Sequence, residues 1–176
     1  ADLLALEAKS LAPRIRELLG GKEPGMVSRP PLLPPVRWEA LPPPGPGEGP
    51  FRAVLLGPCL TGRGLEPVVE ALNRAVRRGA DMVVDCLGSP GTGRGSLELW
   101  DTLHGMVHRL GLTERFRFVG EATPGGMARL LARAHLVVEP GYPEAEEVDL
   151  LPILAGLRAG RPVWARACRA LAEVAG

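Results

Sequence analysis

The sequence predicts an α/β fold built on a doubly wound parallel sheet, and three observations carry that prediction. From residue 51 onward, short apolar runs alternate with stretches of helical periodicity, the order expected of βαβ units around a parallel sheet. Glycine closes the apolar run at Gly57, Gly88 and Gly120, where a strand turns toward the next helix. The chain of 176 residues suits one compact domain with an appendage.

Taken in order, residues 1–21 read as a helical appendage. Leu3, Leu4, Leu6, Leu11, Ile15, Leu18 and Leu19 can line one helix face over 1–19, with room for a short strand at 3–6, and Gly20 and Gly21 stop it. Residues 22–50 hold most of the prolines, among them Pro30, Pro31, Pro34, Pro35 and Pro42 to Pro44. Proline fixes φ and removes a backbone donor, so this stretch reads as a stiff connector. Strands follow at 53–56, 82–87, 116–119, 136–138 and 162–165. Helices with apolar spacing of three and four fall at 65–78, 96–110, 126–134 and 148–158, with a last one at 169–175. Open sheets of this kind bind ligands at the carboxyl ends of their strands. The site is therefore expected on the loops starting near Gly57, Gly88, Gly120 and Pro140.

Composition narrows the function. Hydrophobic residues make up 45% and charged residues 23% of the chain, as in an ordinary soluble domain. Apolar runs such as 53–56 and 136–138 are far shorter than the roughly 20 residues that cross a bilayer. A formal charge of +1 provides no field to attract nucleic acid, and no aromatic stacking platform is evident. Cys59, Cys86 and Cys168 form an odd set without a C-x-x-C pair, against both a disulfide framework and a zinc site. Reduced thiols and the lack of a secretory h-region give an expected cytoplasmic location.

Four loops offer chemistry. The first, Gly57-Pro58-Cys59-Leu60-Thr61-Gly62-Arg63-Gly64, precedes a helix. Its glycines let backbone amides and the helix N-terminus approach a phosphate, with Arg63 as a bidentate cationic partner; the plainer alternative is a tight turn with a solvated arginine. The second, Gly88 to Ser96, resembles a Walker A loop, but Arg94 and Gly95 stand where that motif needs lysine and a hydroxyl. His104 and His108 share a helix face without a third ligand nearby, and His135 leads into an apolar strand; both read as structural or surface residues. The last loop carries Glu139, Glu144, Glu146, Glu147 and Asp149. Carboxylates there can accept sugar or ribose hydroxyls, or simply favour a helix's first turn.

In order and spacing these segments resemble the C-terminal, donor-binding lobe of retaining GT-B glycosyltransferases of the group 1 (family 4) type, a Rossmann-like lobe. The resemblance rests on Arg63-Gly64-Leu65, on Leu110-Gly111-Leu112 followed by Phe116 to Gly120, on Leu130 through Glu144, and on Gly160-Arg161-Pro162-Val163. It implies retaining, metal-independent transfer from a UDP-, GDP- or ADP-sugar without a cofactor. The donor phosphates would meet Gly57, Gly62, Arg63 and Gly64, the sugar and ribose Gly141, Glu144 and Glu147, and the base the Gly120 and Glu121 region. It also implies a further N-terminal lobe packed on this one and a continuation past residue 176, making 51–176 a lobe truncated at its C-terminus. The sequence departs from the family pattern in two places. The loop arginine, whose place falls at or near Pro58, is missing, and the second glutamate of the family pair is replaced by Pro152 or Ala155, depending on whether one counts from Pro140 or from Gly160. The alternatives are a lobe that has lost its chemistry and serves as an interaction module, and a P-loop-like NTPase working through Gly88 to Ser96.

Overall fold

A computed structural model of the chain describes residues 44, 49–91, 95–121, 123–141 and 150–166. The expected appendage, nearly all of the connector and the helix at 169–175 lie outside them. The described residues form five strands, β1 (Phe51–Leu56), β2 (Met82–Leu87), β3 (Phe116–Gly120), β4 (Leu136–Glu139) and β5 (Val163–Ala165). Between them run four helices, α1 (Leu65–Arg77), α2 (Ser96–Arg109), α3 (Pro124–Ala132) and α4 (Leu150–Arg158).

All strand pairs are parallel, in the order β3-β2-β1-β4-β5. The chain winds outward from β1 to β3, returns to the other side of β1, and winds outward again. The winding thus reverses between β1 and β4, which is where a doubly wound sheet opens a crevice for ligands.

Strand periodicity of two assigns each face its core. Ala53, Leu55, Val84, Cys86, Phe116 and Val138 point to one face, where Leu65, Val69 and Leu72 of α1 and Leu99, Leu103 and Val107 of α2 cover them. Val54, Leu56, Leu87 and Val137 point to the other, against Leu131 of α3 and Ala155 of α4. The central strands are buried on both sides, which accounts for their continuous apolar runs. No helix among the described residues is long and apolar enough to cross a membrane.

Two elements begin two residues earlier than the sequence expectation. β1 begins at Phe51, two residues earlier, because Phe51 pairs with Met82 and stacks on His135 at 5.1 Å. α3 begins at Pro124 rather than residue 126. Thr123 caps it, its hydroxyl accepting from the Gly126 amide at 3.2 Å, and proline occupies the first turn where its missing N–H costs nothing.

Candidate functional site

The switch point between β1 and β4, the crevice position of this fold class, is flanked by the loop after β1 and by Pro140 and Gly141 after β4. The walls touch: a Cβ placed on Gly64 would lie 3.5 Å from both the Gly141 carbonyl oxygen and the Pro140 Cβ. Gly64 is the N-cap of α1, with φ 69° and ψ 32°, a left-handed conformation open to glycine, and it supplies no side-chain cap. The first amides of a helix have no partner within it, and Pro67 has none to offer. Among the described residues, the amides of Leu65 and Glu66 therefore begin α1 without a side-chain cap, beside the crevice.

Arg63 was expected to extend toward a phosphate. Its guanidinium instead lies below the loop, 1% exposed. Nη2 donates to Glu139 Oε2 at 2.5 Å and to the Leu56 carbonyl, Nη1 to the Pro58 carbonyl at 3.0 Å, and Nε approaches Glu139 Oε1 at 3.5 Å. Glu139 ends β4, is wholly buried, and also accepts from the Gly141 amide at 3.1 Å. The physical reason for the inward turn is this acid: a buried carboxylate needs a cation and fixed donors, and Arg63 is the cation beside it. The guanidinium lies flat beneath Gly57, where an added Cβ would meet Nη1 at 3.0 Å.

The second loop is bound to the first. Cys59 donates its amide to the Ser89 carbonyl at 3.0 Å, and Gly57 donates to the Leu87 carbonyl at 2.9 Å. Cys59 and Pro90 form a parallel bridge past the end of the strands. A Cβ on Gly88 would fall 2.1 Å from the Gly57 carbonyl oxygen, so only glycine permits this approach. Residues 88–90 of the Walker-like segment are thus laid along the first loop, and Thr92, Gly93 and Arg94 lie outside the described residues. On the far side, Gly88 donates to the Gly120 carbonyl at 2.9 Å and Ser89 Oγ to Glu121 Oε1 at 2.9 Å. The expected base region is in this way joined to the first loop.

Gly141 is buried at the crevice, whereas Glu144 and Glu147 lie outside the described residues. Of the two positions aligned with the family's second glutamate, Pro152 is buried and Ala155 packs in the core against the sheet; neither side chain can hold a hydroxyl. His135 is structural: its Nδ1 accepts from the Arg52 amide at 3.0 Å. His104 stacks on Phe118 at 3.8 Å. No group of three His, Cys, Asp or Glu lies together among the described residues.

Two arrangements were missed by sequence reading. Cys59 and Cys86 bring their sulfurs to 3.8 Å. Asp85, wholly buried on β2, is held by Arg52 Nη1 at 2.7 Å and by Arg117 Nε and Nη2 at 2.7 and 2.5 Å. Burial pushes its carboxyl above the usual range, opposed by the neighbouring Arg52 charge.

No protein-family model matches the chain, and no curated protein matches it significantly. Solved structures do. The Anabaena protein HepE (Alr3699), in complex with UDP and glucose, superposes with a TM-score of 0.60 at 21% identity over 72% of this chain and 32% of its own. The C-terminal domain of LpcC, a glycosyl transferase group 1 family protein of Francisella tularensis, gives 0.56 at 20% identity over 66% of this chain and 58% of its own. Sucrose-phosphate synthase from Thermosynechococcus elongatus gives 0.55 at 21% identity over 70% and 29%. The chain spans about a third of the length of HepE and less than two thirds of the LpcC domain. The described lobe has the fold of the C-terminal lobe of GT-B glycosyltransferases.

Proposed function

We propose that this chain is the donor-binding lobe of a glycosyltransferase that acts on a nucleotide-diphospho-sugar, transferring the sugar with retention and without a metal. The observation that carries the proposal is the uncapped start of α1 at the point where the sheet reverses its winding. Free amides and the helix dipole together favour a bound anion. They lie where the fold is expected to take its ligand, and HepE, of the same fold, has been solved with UDP and with UDP-glucose.

In this reading the diphosphate rests on the backbone around Gly57, Gly62 and Gly64 and on the α1 amides. As the bond from the anomeric carbon to the leaving diphosphate breaks, negative charge grows on the phosphate oxygen, and fixed amides stabilise it without reorganising. Arg63 takes the part of a positioning residue, holding the Leu56 and Pro58 carbonyls away from the phosphate side of the loop. Glu144 or Glu147 would accept sugar hydroxyls, Gly141 would flank the sugar, and Gly120 and Glu121 would border the base. The acceptor would be held by a further lobe packed against this one.

A thermal-shift series with UDP, GDP, ADP and their sugars tests the proposal. A ligand at 100 times its dissociation constant adds about 2.7 kcal/mol of stability. At least one nucleotide is expected to raise the melting temperature equally with and without magnesium. If none does at millimolar concentration, donor binding is abandoned.

One observation favours a second reading. The only cation in the first loop is neutralised by Glu139, and Pro58 stands where the family has another. A lobe so altered can serve as an interaction module, and it would associate with partners with no response to nucleotide.

A further inference from the structure

Cys59 and Cys86 stand out among the groups the proposed donor site does not use. They lie 27 residues apart in sequence, yet their sulfurs are 3.8 Å apart, with one thiol donating to the other. Cys86 sits in β2, inside the core; Cys59 sits in the first loop, between exposed Pro58 and half-buried Leu60. A disulfide brings sulfurs to about 2.05 Å, so closure requires the loop sulfur to move inward by less than the width of an atom pair. The partner on a rigid strand and the partner on a loop suit such a closure.

We propose that Cys59 and Cys86 form a reversible redox modification site, a dithiol that hydrogen peroxide converts to a disulfide tying the first loop to β2. The Cys59 thiolate attacks one peroxide oxygen, the O–O bond breaks, and the leaving hydroxide takes up the proton Cys59 released, giving water and a sulfenic acid. The Cys86 sulfur then attacks the Cys59 sulfur. The S–O bond breaks and a second water leaves with the Cys86 proton. Two thiols lose two electrons and the peroxide gains them.

The surroundings assign the order of events. The hydrogen bond with Cys86 holds Cys59 below its ordinary value against the opposing effect of burial, and the Arg63 charge adds to the lowering. Cys86 is pushed up by the same hydrogen bond, by burial and by the Cys59 charge. Cys59, on the loop beside exposed Pro58, is the sulfur an oxidant reaches first and so the attacking one, and Cys86, inside β2, is the resolving one; the two shifts agree with that order. Both are buried, so oxidant reaches Cys59 through opening of the loop 60–62, whose Thr61 and Gly62 are exposed.

The bond has a consequence for the loop. Pro58, next to Cys59, gives its carbonyl to Arg63. Drawing Cys59 toward β2 displaces that carbonyl and loosens the hold of Arg63 on the loop. If the donor reading above is right, oxidation weakens nucleotide binding at this site.

The test uses the chain carrying Cys168→Ser, treated with hydrogen peroxide, alkylated and mapped by peptide mass spectrometry. A linked pair of peptides containing Cys59 and Cys86, lighter by two hydrogen atoms and released by dithiothreitol, is expected. In the additional variant Cys86→Ser, Cys59 should instead accumulate as sulfenic acid and react with dimedone. Recovery of both cysteines alkylated, or of Cys59 as sulfinic acid with Cys86 free, overturns the proposal. Nucleotide affinity of the two forms is then compared. A several-fold loss on oxidation is expected, and equal affinity overturns control of the loop. If neither form binds nucleotide, the donor reading falls while the mapped disulfide stands.

Discussion

Arg63 and Glu139 come from opposite walls of the crevice and meet beneath it, Nη2 to Oε2 at 2.5 Å, with both side chains all but sealed from solvent. A buried pair of this kind is weak evidence of net stabilisation, because desolvating two charges offsets their attraction. Breaking it is another matter. Glu139→Ala leaves a buried guanidinium with only carbonyl partners, and Arg63→Ala leaves a buried carboxylate. Each is expected to cost about 3–5 kcal/mol in urea unfolding. The double variant Arg63→Met, Glu139→Leu should recover most of that loss. Single variants costing less than about 1 kcal/mol, the size of an exposed pair, would show that the pair does not organise the loop.

Gly88→Ala tests the seam between the first two loops. The added methyl would fall 2.1 Å from the Gly57 carbonyl oxygen, and backbone on both sides leaves no flexible atom to yield. A loss of about 2 kcal/mol or more is expected in thermal or urea unfolding, in the upper part of the usual range for point mutants. A variant as stable as the parent would mean the seam opens freely.

Asp85 predicts a pH effect with a definite sign. Its folded value lies above its unfolded one through burial, so the folded state takes up this proton at higher pH. Its contribution to stability is full below the ordinary carboxylate value of about 3.9 and is lost as pH rises through the raised one. Relative to Asp85→Asn, the parent should therefore gain stability as pH falls through that window. Urea midpoints of the two proteins measured from neutral to acid pH check this. A difference that moves the opposite way would mean that Arg52 and Arg117 outweigh burial.

Thr123→Ala removes the cap of α3 and should cost about 1 kcal/mol, and Thr123→Ser should keep most of it. Equal losses in the two variants would assign the effect to the threonine methyl rather than to the hydroxyl.

The scaffold was legible in the sequence because its signals are local. Each strand is a short apolar run, and the alternating faces of β1, β2 and β4 follow from the two-residue period alone. The start of α3 was missed because apolar spacing placed it at residue 126, whereas the cap and first-turn pair Thr123 and Pro124 sets it two residues earlier. What the sequence did not disclose is pairwise and distant. Arg63 and Glu139 are 76 residues apart, and nothing near either announces the other; a lone arginine after a glycine reads as a ligand for phosphate. Asp85 on β2 finds Arg52 and Arg117 only once three strands are in register. The two thiols meet only because the first loop continues alongside β2 beyond its last ladder bond.

That continuation changes how the crevice should be pictured. From Glu121 the contacts pass to Ser89, from Ser89 to Cys59, through Pro58 to Arg63, and from Arg63 to Glu139 and Gly141. Four connections that look independent along the chain are thereby fused into a single rail crossing the ends of β3, β2, β1 and β4. Glu121 and Gly141, at opposite ends of the rail, are thereby joined through covalent and hydrogen bonds alone, without a whole helix or strand between them.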